Sequence, residues 1–189
     1  CEYFENLVFF NQSKSLEEKN AYLSYLMRYR NRADPTRIEK SQYSYYSQWY
    51  HPVIRELVDG ISSACEYYKI AQSLIPTITA HDAKKSITLL LELGLIECRD
   101  ERYHKKDTSL STGKAVKSVA VANYHKAMIT LGEQSIERFP SSERDIESLT
   151  LGITQKTGEL IKKKAHEFMM EILKIAEKDE NAENVMQVN

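Results

Sequence analysis

Basic and hydrogen-bonding side chains recur at helical spacing within residues 79–93, and together they form one set: His81, Lys84, Lys85 and Thr88. Donor side chains on one side of a helix are the groups that read base edges in the major groove of DNA. A second set of cations follows soon afterwards: Arg99, Arg102, Lys105 and Lys106. The sequence predicts that the first set enters a major groove and that the second set meets phosphates.

Other chemistries have less support in the sequence. The segment STGK at 111–114 resembles a phosphate-binding loop, but that loop needs glycine at position 108 and a hydroxyl residue at 115. Position 108 is threonine and position 115 is alanine, so a nucleotide site is not predicted. Cys98 and His104 can meet across a hairpin, yet no paired CxxC or HxxxH spacing supports a zinc site.

The sequence also contains no nucleophile elbow, carboxylate dyad or glycine-rich loop. We therefore predict that the protein is not an enzyme and uses no cofactor or metal. Three cysteines, Cys1, Cys65 and Cys98, are too few and too scattered for a disulfide framework. With no signal-peptide pattern and no apolar run of about 20 residues, the sequence favours a cytoplasmic protein with no membrane partner.

The elements that must position these side chains form a helix and a hairpin. Thr79 and Asp82 offer a helix start, and Gly94 fits the left-handed residue that ends a helix. The residues expected on the buried face of this helix are Ala83, Ile87, Leu90 and Leu91. A short strand with Leu95, Ile96 and Cys98, the turn RDER and the returning strand YHKKD complete the hairpin.

Two further helices precede this one. The first, in SQYSYYSQWYHPVIRELV, is expected to kink or restart at Pro52, because proline disrupts a helix interior. Its aromatic stripe indicates core packing more strongly than a base-stacking platform: Tyr46, Trp49, Tyr50, Val53 and Leu57. The second lies in ACEYYKIAQSLI. Helix, helix, turn, helix and hairpin together predict a winged helix.

The flanks of the winged helix are predicted to be helical, with a small α/β unit at the end. Residues 1–40 form a lead-in with a capping box at Ser15 and Glu18 and a basic linker at 28–40. Residues 41–113 form the winged helix, and a long helix follows at 114–138. DIESLTLGI, a helix at 155–178 and NVMQVN predict strand, helix and strand with parallel pairing.

The fold class is therefore mainly α (α+β), with the third domain spanning residues 114–189. The apolar side chains expected to point inward from the helix at 155–178 are Ile161, Ala165, Phe168, Met169, Ile172 and Ala176. The apolar residues near the start exceed what one small winged helix can cover, which predicts a homodimer: Phe4, Leu7, Val8, Leu23 and Leu26.

Five segments carry a resemblance that spans nearly the whole chain: EYFENLVFFNQSKSLEEKN, YYSQWYHPVIRELV, LLLELGLIE, STGKAVKSVAVANYHKAM and ERDIESLTLGIT. They resemble, in order, a bacterial family of uncharacterised transcriptional regulators, a large paralogous set in Fibrobacter. The resemblance implies a carboxy-terminal domain of unknown function preceded by a helix-turn-helix of the phage-repressor type. It also implies that this chain starts at the last helix of that domain, so that the main DNA reader precedes Cys1.

The charges in the sequence bear on two alternative functions. The first is the regulatory and oligomerising body of a DNA-binding regulator, with the winged helix as an additional DNA contact. The second is an effector-sensing or protein-interaction scaffold whose winged helix touches no DNA. Net charge is −1, and residues 79–117 contain eight basic and six acidic residues, so the cationic surplus is small. Asp100 and Glu101 at the predicted wing tip would repel phosphates.

Overall fold

The computed structural model describes residues 2–29, 43–59, 61–63, 67–106, 114–179 and 184–189. Its helices are α1 (Glu2–Gln12), α2 (Leu16–Tyr29), α3 (Tyr50–Leu57), α4 (Tyr67–Gln72), α5 (Ala80–Glu92), α6 (Lys114–Arg138) and α7 (Gln155–Ala176). Its strands are β1 (Ile96–Arg99) and β2 (Arg102–Lys105), and a short helical segment lies at 43–47. The chain is mainly helical with a small antiparallel sheet, as predicted.

The chain divides into two compact units. Unit 1 contains residues 1–133 together with Asn189, and unit 2 contains residues 134–188. The predicted domain boundaries at 40/41 and 113/114 adjoin the stretches 30–42 and 107–113, which are outside the described residues, so they stay predictions. No helix within the described residues is long and apolar enough to span a membrane.

The largest core of unit 1 lies between α3, α4, α5 and the hairpin. Its fully buried side chains are Ile54, Val58, Leu74, Ile87, Leu90, Leu95 and Ile96. The aromatic stripe packs against this core as partly buried Tyr46, Trp49 and Tyr50. The core interpretation of the stripe is therefore confirmed. The helix begins again at Tyr50 after a turn at residues 48–49, which places Pro52 in its first turn, where proline is tolerated.

Thr79 determines where α5 begins, and Gly94 determines where it ends. The backbone N–H of Asp82 donates to Thr79 Oγ1 at 3.1 Å, and the Thr79 hydroxyl donates to Asp82 Oδ2 at 2.6 Å. At the other end, Gly94 has φ +65, and its N–H donates to the Leu91 carbonyl at 3.0 Å. The N–H of Leu95 donates to the Leu90 carbonyl at 3.0 Å, which completes a Schellman motif. Both predicted ends of this helix are confirmed.

The hairpin pairs Ile96 with Lys105 and Arg99 with Arg102 in antiparallel register. Asp100 and Glu101 form the two-residue turn with φ 50 and 57, the backbone of a type I′ turn. Residues 61–63 add a third extended segment beside β2. The N–H of Tyr103 donates to the Ile61 carbonyl at 2.8 Å, and the N–H of Ser63 donates to the Glu101 carbonyl at 2.7 Å.

A second apolar cluster joins the lead-in helices to α6. Phe10, Leu23, Leu26 and Val119 are buried together. Nearby, the side-chain amides of Asn20 and Asn123 exchange two hydrogen bonds of 3.0 and 2.8 Å. Leu23 and Leu26 of α2 are thus covered inside the chain, while Phe4 of α1 remains 64% exposed. One hydrogen bond of the capping box predicted for α2 is present, since the Glu18 N–H donates to Ser15 Oγ at 3.1 Å.

Unit 2 departs from the sequence prediction. Residues 144–154 and 184–189 form no strand in the structure, so the predicted strand pairing is not observed among the described residues. α7 forms as predicted, with Thr154 capping its first turn, but it contains no buried residue. The prediction that its apolar stripe points inward is wrong for the chain on its own. Periodicity shows which side of a helix is apolar, and it does not show what covers that side.

Candidate nucleic-acid interface

The four predicted donor side chains of α5 come together on one exposed side of the helix. We call His81, Lys84, Lys85 and Thr88 the recognition face, and all four are exposed. Ala83, Ser86, Ile87 and Leu90 are buried on the opposite side. Leu91 was predicted on the buried side but is 39% exposed, and Ser86 occupies that side instead. A helix buried along one side holds the backbone positions of its outer donors fixed, while the exposed lysine side chains stay flexible.

A buried polar pair fixes α5 to α3. His51 Nδ1 and Ser86 Oγ share a hydrogen bond of 2.8 Å, and both residues are buried. Burial lowers the pKa of His51 to about 4, with the Asp82 carboxylate opposing the shift in part. The imidazole is therefore neutral at physiological pH. A neutral, hydrogen-bonded histidine at this place orients α5 without adding charge beneath it.

The recognition face borders a shallow groove of about 320 Å³. Its lining residues are His81, Lys84, Lys85, Thr88, Leu89 and Glu92. Lys84 Nζ lies 5.9 Å from the centroid of the Tyr67 ring, and Thr88 Oγ1 donates to the Lys84 carbonyl at 3.0 Å. Within the described part of the chain, neither Lys84 nor Lys85 forms an ion pair. Glu92 places one negative charge at the same groove.

The wing cations, in contrast, are engaged by carboxylates of the same chain. Lys105 Nζ lies 2.8 Å from Glu56 Oε2 on α3, and Lys106 Nζ lies 3.3 Å from Glu97 Oε2 on β1. Arg99 Nη1 lies 3.9 Å from the other oxygen of Glu97. A phosphate would have to compete with these pairs for the lysines.

The far end of the wing is acidic. Asp100 and Glu101 occupy the turn between Arg99 and Arg102, which face each other in the hairpin register. The four predicted wing cations thus lie on one hairpin, as expected, but none of them forms an isolated positive surface. Arg102 also has a polar or electrostatic interaction in the structure. The recognition face is the stronger half of the predicted interface.

The structure does not bring Cys98 and His104 together as metal ligands. Cys98 pairs with Tyr103 in the hairpin register and His104 pairs with Glu97, so Cys98 and His104 lie on opposite faces of the ribbon. The His104 ring lies 3.9 Å from an Asp59 carboxylate oxygen instead. Across the described residues, no group of three or more potential ligands is arranged to hold a metal ion. Cys1 and Cys65 are outside the described residues.

Sequence reasoning missed the His51–Ser86 pair and the Glu56, Glu97 and Asp59 partners of the wing. A signal for the first was present, because His51 falls on the same helical side as Ile54 and Val58. Ser86 likewise falls on the side of Ala83 and Leu90. No local sequence pattern predicts the ion pairs of the hairpin cations, because Glu56 and Lys105 are distant in sequence.

A comparison with known families gives a match over most of the chain. The model of a family described as Domain of unknown function (DUF4423) matches residues 30–189. The matched range includes α3 to α7 and the hairpin. No curated protein and no solved structure matches the chain.

Proposed function

Taking as premise that the chain belongs to the family described as Domain of unknown function (DUF4423), we propose that it is the regulatory and oligomerising body of a DNA-binding transcriptional regulator. In this proposal the recognition face adds a weak contact to DNA. The resemblance to bacterial transcriptional regulators supports the regulatory part. The main DNA reader in the proposal is a helix-turn-helix supplied by a segment outside this chain.

The observation that carries the proposal is the recognition face itself. Two lysines, a histidine and a threonine project from one side of α5, whose other side is buried in the core formed with α3, α4 and the hairpin. Lysine binds phosphate as a flexible point charge, and a hydroxyl donates to phosphate or base. This arrangement fits DNA backbone contact better than base reading, because it lacks the arginine, asparagine and glutamine side chains that pair with base edges in two hydrogen bonds.

The wing has a smaller part in the proposal. Its lysines already bind Glu56 and Glu97, so their transfer to phosphates exchanges one ion pair for another. Such an exchange contributes little net affinity. We therefore assign most of the DNA contact to Lys84 and Lys85.

The rival function is a protein-interaction or effector-sensing scaffold whose winged helix touches no DNA. Glu92 in the groove and the acidic wing tip favour it, because both interrupt the positive surface. A groove of about 320 Å³ that combines Leu89 with charged residues also suits a peptide or a small effector. Homodimerisation and a cytoplasmic location are compatible with both functions.

A binding experiment separates the two functions. Fluorescence anisotropy with a labelled duplex of random sequence, at low ionic strength, should show weak binding by the 189-residue chain. Lys84→Ala with Lys85→Ala should reduce the affinity at about 20 mM salt by roughly a hundredfold or more, because two phosphate contacts are lost. Lys156→Ala with Lys163→Ala is the matched control, since it removes the same charge from exposed positions of α7.

Equal losses in the two double variants would show that only net charge matters, and the recognition face would then have no role. No binding at all at low ionic strength would favour the scaffold. Both results would contradict the proposal.

A further inference from the structure

Unit 2 exposes many large apolar side chains. Eleven large apolar side chains between residues 146 and 175 are each at least 42% exposed. None of the described residues of unit 2 is buried. A helix with a continuous apolar side must bury that side against another element. No described residue of unit 2 therefore covers the apolar side of α7.

The apolar side of α7 follows a coiled-coil spacing. We call the following residues the seam: Gly158, Ile161, Ala165, Phe168, Ile172 and Ile175. They alternate at intervals of three and four residues, which is the pattern of core positions in a two-helix coiled coil. Lys163, in contrast, lies on the outer side of α7 and forms a 3.9 Å ion pair with Glu167.

The seam is complementary to itself only when two copies run antiparallel. In that arrangement Ala165 packs against Phe168 of the second copy, and Gly158 packs against its Ile175. Each small residue then meets a large one, which fills space evenly. In a parallel pair in register, glycine and alanine would face themselves and leave gaps, while Phe168 would face Phe168.

The charges beside the seam favour the same orientation. Lys164 and Glu171 flank the seam one heptad apart on the same side of the helix. An antiparallel pair brings Lys164 of one copy to Glu171 of the other, and the two-fold symmetry forms this contact twice. Within one copy, Lys164 Nζ also lies 2.8 Å from Glu167 Oε2.

The seam offers a small apolar area. Its exposed large side chains are Ile161, Phe168 and Ile175, at 42%, 58% and 71%. A fully exposed large apolar side chain offers roughly 100 Å², so these three provide roughly 170 Å² per copy. Standard interfaces bury roughly 800 Å² per partner, so we expect a weak dimer that forms at micromolar concentrations.

We propose that a second copy of this chain binds to α7, so that the two seams pack antiparallel in a two-fold symmetric pair. This inference deepens the oligomerising part of the proposed function and rests on it. It does not depend on DNA contact, because the surface lies in unit 2 and its test contains no DNA.

Sedimentation equilibrium of the full 189-residue chain tests the proposal at tens of micromolar. A dimer is expected for the wild-type chain. Phe168→Ser should shift the dissociation constant upward by at least tenfold, and Lys163→Ser on the outer side of the same helix should leave it within twofold. The helical signal in circular dichroism shows whether both variants stay folded. A strictly monomeric wild type, or equal effects of the two variants, would overturn the proposal.

Charge exchange tests the orientation. Lys164→Glu and Glu171→Lys should each weaken the dimer several-fold, and the double exchange should restore it, since the contact re-forms with reversed sign. Loss of the Lys164–Glu167 pair cannot explain such a rescue, because the double variant does not restore that pair. Absence of rescue would overturn the antiparallel arrangement.

Discussion

The buried side chain of His51 links the stability of the packing around α5 to pH. It hydrogen-bonds Ser86 at 2.8 Å inside the core, where an imidazolium would lose its hydration. Neither residue contacts solvent freely, so the pair acts through the position of α5. The recognition face depends on such a support, because its four donors share one helix.

The lowered pKa of His51 predicts how stability changes with pH. The unfolded chain binds a proton at this residue below about pH 6.5, whereas the folded chain does so only below about pH 4. The contribution of His51 to the free energy of unfolding is therefore largest above pH 6.5, and it falls by up to about 1.4 kcal/mol per pH unit between those values.

Urea unfolding of the wild type and of His51→Asn at several pH values between 4 and 7.5 measures this term, since other groups titrate alike in both. The wild type should lose more stability than the variant on acidification. His81→Gln, at an exposed position, is the control and should follow the wild type. Parallel profiles for His51→Asn and wild type would contradict the prediction.

Gly94 provides a second prediction for a single residue. A Cβ at this position would meet nothing within 4 Å, so any cost of substitution arises from φ +65 alone. Gly94→Val should lower the free energy of unfolding by more than about 1 kcal/mol, because a β-branched residue is strained in the left-handed region. Gly94→Asn should cost clearly less, since asparagine tolerates that region. Equal melting temperatures of wild type and Gly94→Val would show that the helix end does not need glycine.

At the level of elements, the sequence predicted those parts that local patterns determine. Thr79 and Gly94 mark the ends of α5 because capping involves neighbouring residues. The third extended segment at 61–63 could not be predicted, since three residues show no period and their partners lie on β2. The ion pairs of the hairpin cations could not be predicted either, because their partners are distant in sequence. α7 was predicted correctly as a helix and incorrectly as a buried one.

The turn formed by Asp100 and Glu101 gives a prediction about backbone strain and about charge. Glu101 has φ 57, a conformation that costs a residue with a side chain about 1 kcal/mol. Glu101→Gly should therefore raise the free energy of unfolding by about that amount, whereas Glu101→Gln should not. Both variants remove the negative charge, so both should strengthen DNA binding modestly.

Thermal unfolding and anisotropy on the same three proteins separate these two effects. A glutamine variant as stable as the glycine variant would contradict the strain argument. Unchanged DNA binding in both variants would show that the wing tip lies away from the DNA.

For the whole molecule, charge limits what the chain does with DNA. The net charge is −1, and among the described residues Lys84 and Lys85 form no ion pair. A protein that neutralises few phosphates releases few counterions, so its affinity is low and falls less steeply with salt than that of a protein with many phosphate contacts. We therefore expect this chain to position and pair subunits, while a tighter reader outside it selects the sequence.

The salt dependence of DNA binding tests this account most directly. The logarithm of the binding constant, measured for a random duplex between about 20 and 200 mM salt, should fall against the logarithm of salt concentration with a slope of about −2 to −4. Lys84→Ala with Lys85→Ala should reduce the magnitude of that slope by about 2, one for each lost phosphate contact, without changing sequence preference. An unchanged slope in the double variant would contradict the account. Nanomolar binding to one selected sequence, abolished by the same double substitution, would contradict it too and would make the recognition face the sequence reader.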